Sequence, residues 1–316
     1  MKPQLAILYE HPKWFEPLFA ALDRGGIDYQ AIRLTDHSFD PASREAPAPL
    51  IFNRVAMSSF LREADHGIFY SQALLSHWEA NGARILNGPN VLALDSSKAR
   101  QLSLISGLGL GIPETRVVHR AEDLVPAARG MAYPLLVKAN IGGSGAGIVR
   151  YGSEQELADS VRAKTVPDSV DKVLLLQDYA PARGGVITRV ETLGGKFLYA
   201  IEVESGGGSF DLCPADACLA TPGRAAVRMN AVTLEPALVE AAERIAQTAG
   251  LDVGGVEFLI DDRDGTPRFY DINALSNFVA NPLQVLGWDP HDRLVDFIRA
   301  ALQEKLSDGS SAHPDP

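Results

Sequence analysis

The chain has 316 residues, 46% apolar and 22% charged, with 29 Lys and Arg against 40 Asp and Glu for a formal net charge of −11. That balance fits a soluble globular protein of two or three compact units. With no basic stretch standing out, it argues against duplex nucleic acid and anionic membranes as partners, because both need clustered Lys and Arg.

In chain order, the first ninety residues alternate strand-like and helix-like patterns. "LAILY" (5–9) reads as a short buried strand; the apolar run around it is too short for a signal peptide, and acid follows at once, so a cytoplasmic protein is expected. No apolar segment approaches the roughly 20 residues needed to span a bilayer. Trp14, Phe15, Leu18, Phe19 and Leu22 recur at helical spacing, and Gly25–Gly26 stop that helix. Residues 29–34 and 49–54 read as further strands, and 68–81 as a helix ending at Asn81–Gly82. This rhythm predicts a small parallel βαβ sheet with packed helices. It lacks the glycine fingerprint of a dinucleotide site.

After residue 90 the character changes. Asp95 or Ser96 is placed to cap a helix running to about Gly107. Strands are expected at 116–119, on both sides of the glycine loop "GGSGAG" (142–147) and at 172–180, with a helix at 153–164. Residues 186–203 read as a hairpin turning at Gly194–Gly195. The segment 204–230 is irregular and long for a loop, and loops that long are usually functional or mobile. It holds Cys213 and Cys218 with no histidine close by, which reads as two reduced thiols rather than a zinc site. A helix at 234–249, strands at 255–261 and 267–273 and a helix at 290–305 close the fold, before a compositionally disordered tail at 307–316.

The glycine loop carries the first chemical signal. A Walker loop needs a lysine after its last glycine, but Ile148 follows Gly147. A dinucleotide loop opens a helix, whereas Gly143, Gly145 and Gly147 lead into a strand, and a protein-kinase loop precedes its strand lysine, whereas Lys138 comes first. The remaining order is strand, lysine, glycine loop, strand. This is a β-hairpin whose backbone N–H groups can close over a phosphate chain. A plain glycine-rich turn is the bland alternative. Lys138 ends an apolar strand, so its stem packs while its ammonium needs an anion. Lys98 lies in the first turn of a helix, where the dipole disfavours a cation and a bound phosphate would relieve the mismatch.

The second signal is acidic. Asp271 and Asn273 are two apart on a strand and share a face. A three-residue turn at Arg263–Gly265, with Gly265 left-handed, places Glu257 opposite Asp271. Two acids so placed repel unless a cation sits between them. Oxygen ligands without His or Cys point to Mg²⁺.

The order "SSKARQL…GIPET", "YPLLVKANIGGSGAGI", "LLLQDYA", "ITRVETLGGKFLYAIEV", "GGVEFLID…FYDINALSNF" resembles the ATP-grasp superfamily over roughly residues 90–300. It is most similar to glutathione synthase and the ligases that add glutamate to a ribosomal protein. The resemblance implies a two-lobed α/β fold. A βαβ domain (1–92) would precede a lid subdomain (93–182) and a C-terminal antiparallel subdomain (183–306), with 307–316 as the tail. It implies ATP and Mg²⁺ as cofactors. Lys98 and Lys138 would touch the phosphates under a lid of Gly142, Gly143, Ser144, Gly145 and Gly147, and Gln177, Asp178 and Tyr179 would read adenine. Arg189, with Lys138, would serve the reacting groups; Arg54 and Asn277 would contact substrate; Glu257, Asp271 and Asn273 would hold the metal.

Ile187 stands where the family often has a ribose-binding acid, so Asp178 or another group would substitute. The triad order Glu, Asp, Asn replaces the commoner Asp, Glu, Asn. The segments "ALSNFVANP" and "FDLCPADACLA" depart from the glutamate ligases where the acceptor should bind. The expected reaction joins a small carboxylate to an amino-acid-like amine through an acyl phosphate. A small-molecule kinase and a non-catalytic ATP-binding protein on the same fold are the alternatives. Ligases of this kind are often dimers or tetramers, which leaves a homo-oligomer open.

Overall fold

Three sheets organise the computed structural model, which describes residues 3–11, 13–62, 66–143, 145, 147–205 and 227–310. The first sheet is parallel, in order β2-β1-β3-β4, from β1 (Leu5–Tyr9), β2 (Tyr29–Arg33), β3 (Leu50–Arg54) and β4 (Arg84–Leu86). Helices α1 (Glu16–Arg24) and α2 (Gly67–Ala80) are its crossovers. Strand β1 and the first three residues of β3 are apolar because both of their faces are covered.

Two helices follow where one was expected. Helix α3 (Pro89–Asp95) starts with proline in its first turn, and α4 (Lys98–Gly107) is capped by Ser97, whose hydroxyl accepts from the Arg100 N–H at 3.3 Å. Asp95 and Ser96 therefore end a helix instead of starting one. The cap moves to Ser97 because Asp95 is turned to another use, accepting from the Ala274 N–H at 3.2 Å.

The second sheet is antiparallel, in order β5-β8-β6-β7, from β5 (Thr115–Val118), β6 (Leu135–Ala139), β7 (Ile148–Tyr151) and β8 (Leu174–Asp178). Helices α5 (Leu124–Ala127) and α6 (Glu154–Ala163) cover one face, and their core includes Leu124, Leu135, Val137, Leu157 and Leu176. Strand alternation sends Leu136, Lys138, Arg150 and Gln177 to the other face.

The third sheet runs β11-β10-β9-β12-β13 and is antiparallel throughout. It comprises β9 (Val186–Leu193), β10 (Lys196–Ser205), β11 (Val227–Ala231), β12 (Val253–Ile260) and β13 (Pro267–Asn273). The β9–β10 hairpin turns at Gly194–Gly195, both at positive φ. Helix α7 (Pro236–Ala249) packs with Val190, Val256, Phe258 and Ile272 on one face. The other face, with Ile187, Tyr199, Ile201 and Val253, shares a core with Leu5, Leu50 and Phe52 of the first sheet. Helices α8 (Pro282–Val285) and α9 (Pro290–Ser310) follow, and Leu294 and Ile298 of α9 join that shared core. The expected irregular stretch at 204–230 is shorter at both ends, since β10 reaches Ser205 and β11 starts at Val227. Its middle, with Cys213 and Cys218, lies outside the described residues, as do 311–316 of the tail; residues 307–310 of the expected tail continue α9. Among the described residues, no helix is long and apolar enough to cross a membrane.

Candidate active site

A cavity of about 510 Å³ opens between the inner face of the second sheet, the third sheet and the loop after β3. From above, Lys138 projects into it beside Leu136 and Ile148. Its ammonium lies 5.6 Å from the centre of the Tyr270 ring and has no carboxylate partner among the described residues. Burial, together with Lys98, lowers its pKa to about 8. Gly142, Gly143 and Gly145 form the wall next to it. Gly143 packs so closely on the loop after β3 that an added Cβ would stand 2.9 Å from the Ser58 Cβ. Gly147, at φ +72°, closes the hairpin by accepting from the Ala139 N–H at 2.8 Å and does not line the cavity. Ser144 lies outside the described residues.

Lys98 enters from the start of α4. The side chain of Asn140, just past β6, accepts from the Ala99 N–H at 2.9 Å and the Ser97 hydroxyl at 3.2 Å, tying this helix end to the lid strand. The Lys98 ammonium donates to Asp271 at 2.5 Å. Burial would push this lysine down, but Asp271, with Glu257 and Asp95, more than offsets that and raises it. The helix-start mismatch read from the sequence is thus answered by a carboxylate within the protein.

Glu257 does face Asp271 in the β12–β13 register, but by a different route from the expected one. The turn is one residue longer: Asp261 pairs with Thr266, and Gly265 is left-handed at φ +75°. A β-bulge at Tyr270 then restores the register. The bulge re-aims Tyr270 into the cavity, where burial and the Glu257 carboxylate hold its hydroxyl well above its ordinary pKa. Asn273 lies on the same face and donates to Glu257 Oε1 at 3.2 Å.

Arg189, at the middle of β9, sits between two carboxylates. Its Nε donates to Glu191 at 2.6 Å and its Nη1 to Glu257 at 3.1 Å. Burial opposes this cation, yet Glu191 and Glu257 hold its pKa above the ordinary value. Burial together with Asp271 pushes Glu257 up, against Arg189 and Lys98. Gly255 makes the arrangement fit: a Cβ there would come within 2.8 Å of Arg189 Nε. Glu191 is fully buried, and its second oxygen has no hydrogen-bond partner.

Residues 95–280 match the RimK-like ATP-grasp domain. The chain belongs to the RimK-like ATP-grasp family. It is 28% identical over 207 residues to the "Probable alpha-L-glutamate ligase" of Stutzerimonas stutzeri (strain A1501), covering 65% of this chain and 64% of that relative. It is 29% identical over 212 residues to the ribosomal protein bS6–L-glutamate ligase of Shigella boydii serotype 4 (strain Sb227), again covering 65% and 64%. The chain therefore spans just under two thirds of the length of these relatives. Its fold matches that of the ATP-grasp ligase PsnB complexed with a phosphomimetic variant of minimal precursor, Mg and ADP, with a TM-score of 0.69 at 16% identity over 96% of this chain and 99% of that one.

For this RimK-like chain, the donor set suits Mg²⁺. Glu257 and Asp271 oppose each other with Asn273 alongside, all oxygen ligands. Among the described residues, no three His, Cys, Asp or Glu side chains are grouped to hold a metal, so Asn273 would complete the protein's share.

The remaining expected residues fall in several places. Gln177 lines the cavity while its amide donates to the Thr115 hydroxyl at 3.0 Å. Tyr179 lies under the Arg150 guanidinium at 4.6 Å. Asp178 lines the cavity, and its carboxylate accepts from both terminal nitrogens of Arg263, at 3.1 and 2.5 Å. Asn277 lines the cavity, but Arg54 does not. Arg54 is 2% exposed, stands behind the wall and donates to the Ser276 carbonyl and to Asn277 Oδ1. Its Nε and Nη1 are buried without partners, and burial lowers its pKa to about 9 against the pull of Glu191 and Asp95. Direct contact with a substrate carboxylate is therefore replaced by support of residues 276–277, because this part of β3 is covered by the segment after β13.

Asp95, Asn140, Glu191 and Tyr270 were missed as site residues. Asp95 read as a helix cap. Glu191 did carry a signal, as an acid two residues from Arg189 inside an apolar strand.

Proposed function

We propose that the protein is an ATP-dependent carboxylate–amine ligase that works with Mg²⁺. One observation carries this reading. A single cavity gathers Lys98, Lys138, the glycine loop, Arg189 and the triad Glu257, Asp271 and Asn273. Lys138, without a carboxylate partner, and the N–H groups of the glycine loop fit a phosphate chain. Arg150 and Tyr179, with Gln177 behind, suit a flat base. Glu257, Asp271 and Asn273 would hold Mg²⁺, which supplies charge neutralisation at the phosphates.

In this reading a carboxylate oxygen of the acid forms a bond to the γ-phosphorus as the bond to the β-phosphate oxygen breaks, releasing ADP. The amine nitrogen then attacks the acyl carbon. Its C–N bond forms as the C–O bond to phosphate breaks, giving an amide, phosphate and a proton. The protein contributes position and charge. The N–H groups of Arg189 that neither Glu191 nor Glu257 uses are available to the tetrahedral oxyanion. Glutamate as the amine, and a peptide or protein as the acid, are properties of named relatives and not assumed for this chain.

The test is ADP release over a panel of amino acids, dipeptides and amines with Mg²⁺ and ATP, with hydroxylamine to trap an acyl phosphate. The ligase reading expects ADP, free phosphate and a hydroxamate. A stable phosphorylated product without free phosphate would make the protein a kinase, and no turnover with any pair would leave a nucleotide-binding protein.

A further inference from the structure

The Arg189 guanidinium is bonded to two carboxylates that differ in what else can reach them. Glu257 lines the cavity and belongs to the oxygen donor set suited to Mg²⁺. Glu191 does not line the cavity. It is fully buried, opposite Gly255 on β12 and Tyr199 on β10. Its second oxygen has no hydrogen-bond partner, so the 2.6 Å bond from Arg189 Nε is the one its side chain makes among the described residues.

A buried ion pair often adds no more stability than apolar side chains of the same size. The geometry around Glu191 gives it a different use. At Gly255 an added Cβ would stand 2.8 Å from Arg189 Nε, 2.9 Å from Nη2 and 3.0 Å from Cζ. The near-equal distances lay the plane of the guanidinium across β12 at that position. Glu191 holds the Nε edge, Glu257 holds Nη1, and Nη2 has no acceptor among the described residues. A guanidinium is a rigid fork, so fixing one edge fixes the direction of the remaining N–H groups. Burial opposes the charge of Arg189, and Glu191 offsets that burial more than Glu257 does.

We propose that Glu191 is the positioning residue for Arg189: it keeps the guanidinium flat over Gly255, with Nη2 free for the reacting group, whether or not a ligand engages Glu257. A ligand that draws on Glu257 leaves Glu191 as the standing anchor, because nothing in the cavity reaches Glu191 to compete for it. The proposal rests on the ligase reading, in which Arg189 serves the tetrahedral oxyanion, and it adds the residue that orients Arg189 for that task.

Proton exchange at the Arg189 Nε–H reads the anchor directly, by NMR of the protein labelled with ¹⁵N at arginine Nε. The resonance is assigned by its loss in Arg189→Lys. It should exchange slowly with water in the free protein, and within about threefold as slowly with Mg²⁺ and a non-hydrolysable ATP analogue bound. Glu191→Gln keeps an acceptor at the same reach and should also stay within about threefold. Glu191→Asp keeps the charge but withdraws the acceptor by one methylene, and should speed exchange by about tenfold or more. Turnover is measured with the acid–amine pair that releases most ADP. Glu191→Asp should lower kcat about a hundredfold and Glu191→Gln less than about tenfold, with the Kd of the analogue within about threefold of wild type in both. Wild-type exchange that rises on ligand binding to the Glu191→Asp level would overturn the anchor, as would slow exchange in Glu191→Asp. The comparison of free and liganded wild type stands even if Glu191→Asp does not fold. Wild-type kcat in Glu191→Asp, a kcat at least equal to that of Glu191→Gln, or a matching loss of analogue affinity would overturn the positioning role. If no pair releases ADP, the ligase reading falls with the catalytic use of Arg189, and the exchange rates still decide whether Glu191 is the anchor.

Discussion

The two lysines of the cavity are chemically alike and differently provided for. Lys98, on the floor, is paired with Asp271 at 2.5 Å and held above its ordinary pKa. Lys138, in the lid, faces an aromatic ring with no carboxylate beside it and is lowered to about 8. The same contrast extends around them. On the floor, Lys98 pairs with Asp271, and Arg189 with both Glu191 and Glu257, so each cation there meets a carboxylate. On the lid side, the cation is exposed to the cavity with its charge unanswered. A buried charge is tolerated when paired and costly when alone. The floor is therefore built to be stable before any ligand arrives, whereas the lid holds an unmet demand that a polyphosphate would satisfy.

The largest expected effect comes from breaking the floor. Arg189→Ala leaves Glu191 fully buried without its cation, and should cost roughly 3–5 kcal/mol in urea unfolding as well as turnover. A variant as stable as wild type would show that the floor does not depend on these ion pairs.

The next effect separates the lysines. Lys138→Met should weaken binding of an ATP analogue by roughly 1.5–3 kcal/mol, the worth of a charge-assisted hydrogen bond, with no loss of folding stability. Lys98→Met should cost stability as well, roughly 1–3 kcal/mol, because Asp271 loses its partner. Paired unfolding and calorimetric measurements read both quantities, and identical profiles for the two variants would erase the distinction.

A third expectation concerns pH. Lys138 is depressed to about 8 in the free protein, and a bound polyphosphate favours its protonated form, raising its pKa. Binding therefore takes up a proton above pH 8. Nucleotide affinity should be flat below about pH 8 and fall by up to about tenfold per unit above it, until the pKa of the complex is passed. Lys138→Arg, whose charge does not titrate in this range, should flatten that slope.

The smallest effect belongs to the clamp between lid and floor. Arg263 bridges Asp178 of β8 and Asp261 beyond β12, but its side chain is 45% exposed. Arg263→Ala should therefore cost less than about 1 kcal/mol in stability, a loss that added salt should reduce further.

Much of this was legible in the order of residues. Alternation along "PLLVKA" puts Lys138 on the face opposite Val137, and the structure places it there. The two-residue spacing of Asp271 and Asn273 places both on the cavity side of β13. Other readings reached the right answer by a wrong step. Glu257 opposes Asp271 through a longer turn and a compensating bulge, and bulges are set by packing and hydrogen bonding that periodicity does not encode.

The sequence by itself determined most of the strands and helices that carry the site and the order of lysine, glycine loop and oxygen triad, which depend on local periodicity and spacing; the family entered as a resemblance carried by those motifs. Only the tertiary structure decided that Asp95 leaves its helix cap for the cavity wall, that Glu191 answers Arg189, and that Arg54 stands behind residues 276–277 instead of before a substrate. Those outcomes depend on which segments, distant in the chain, cover one another. Burial of that kind is a property of the packed molecule, and no single stretch of residues states it.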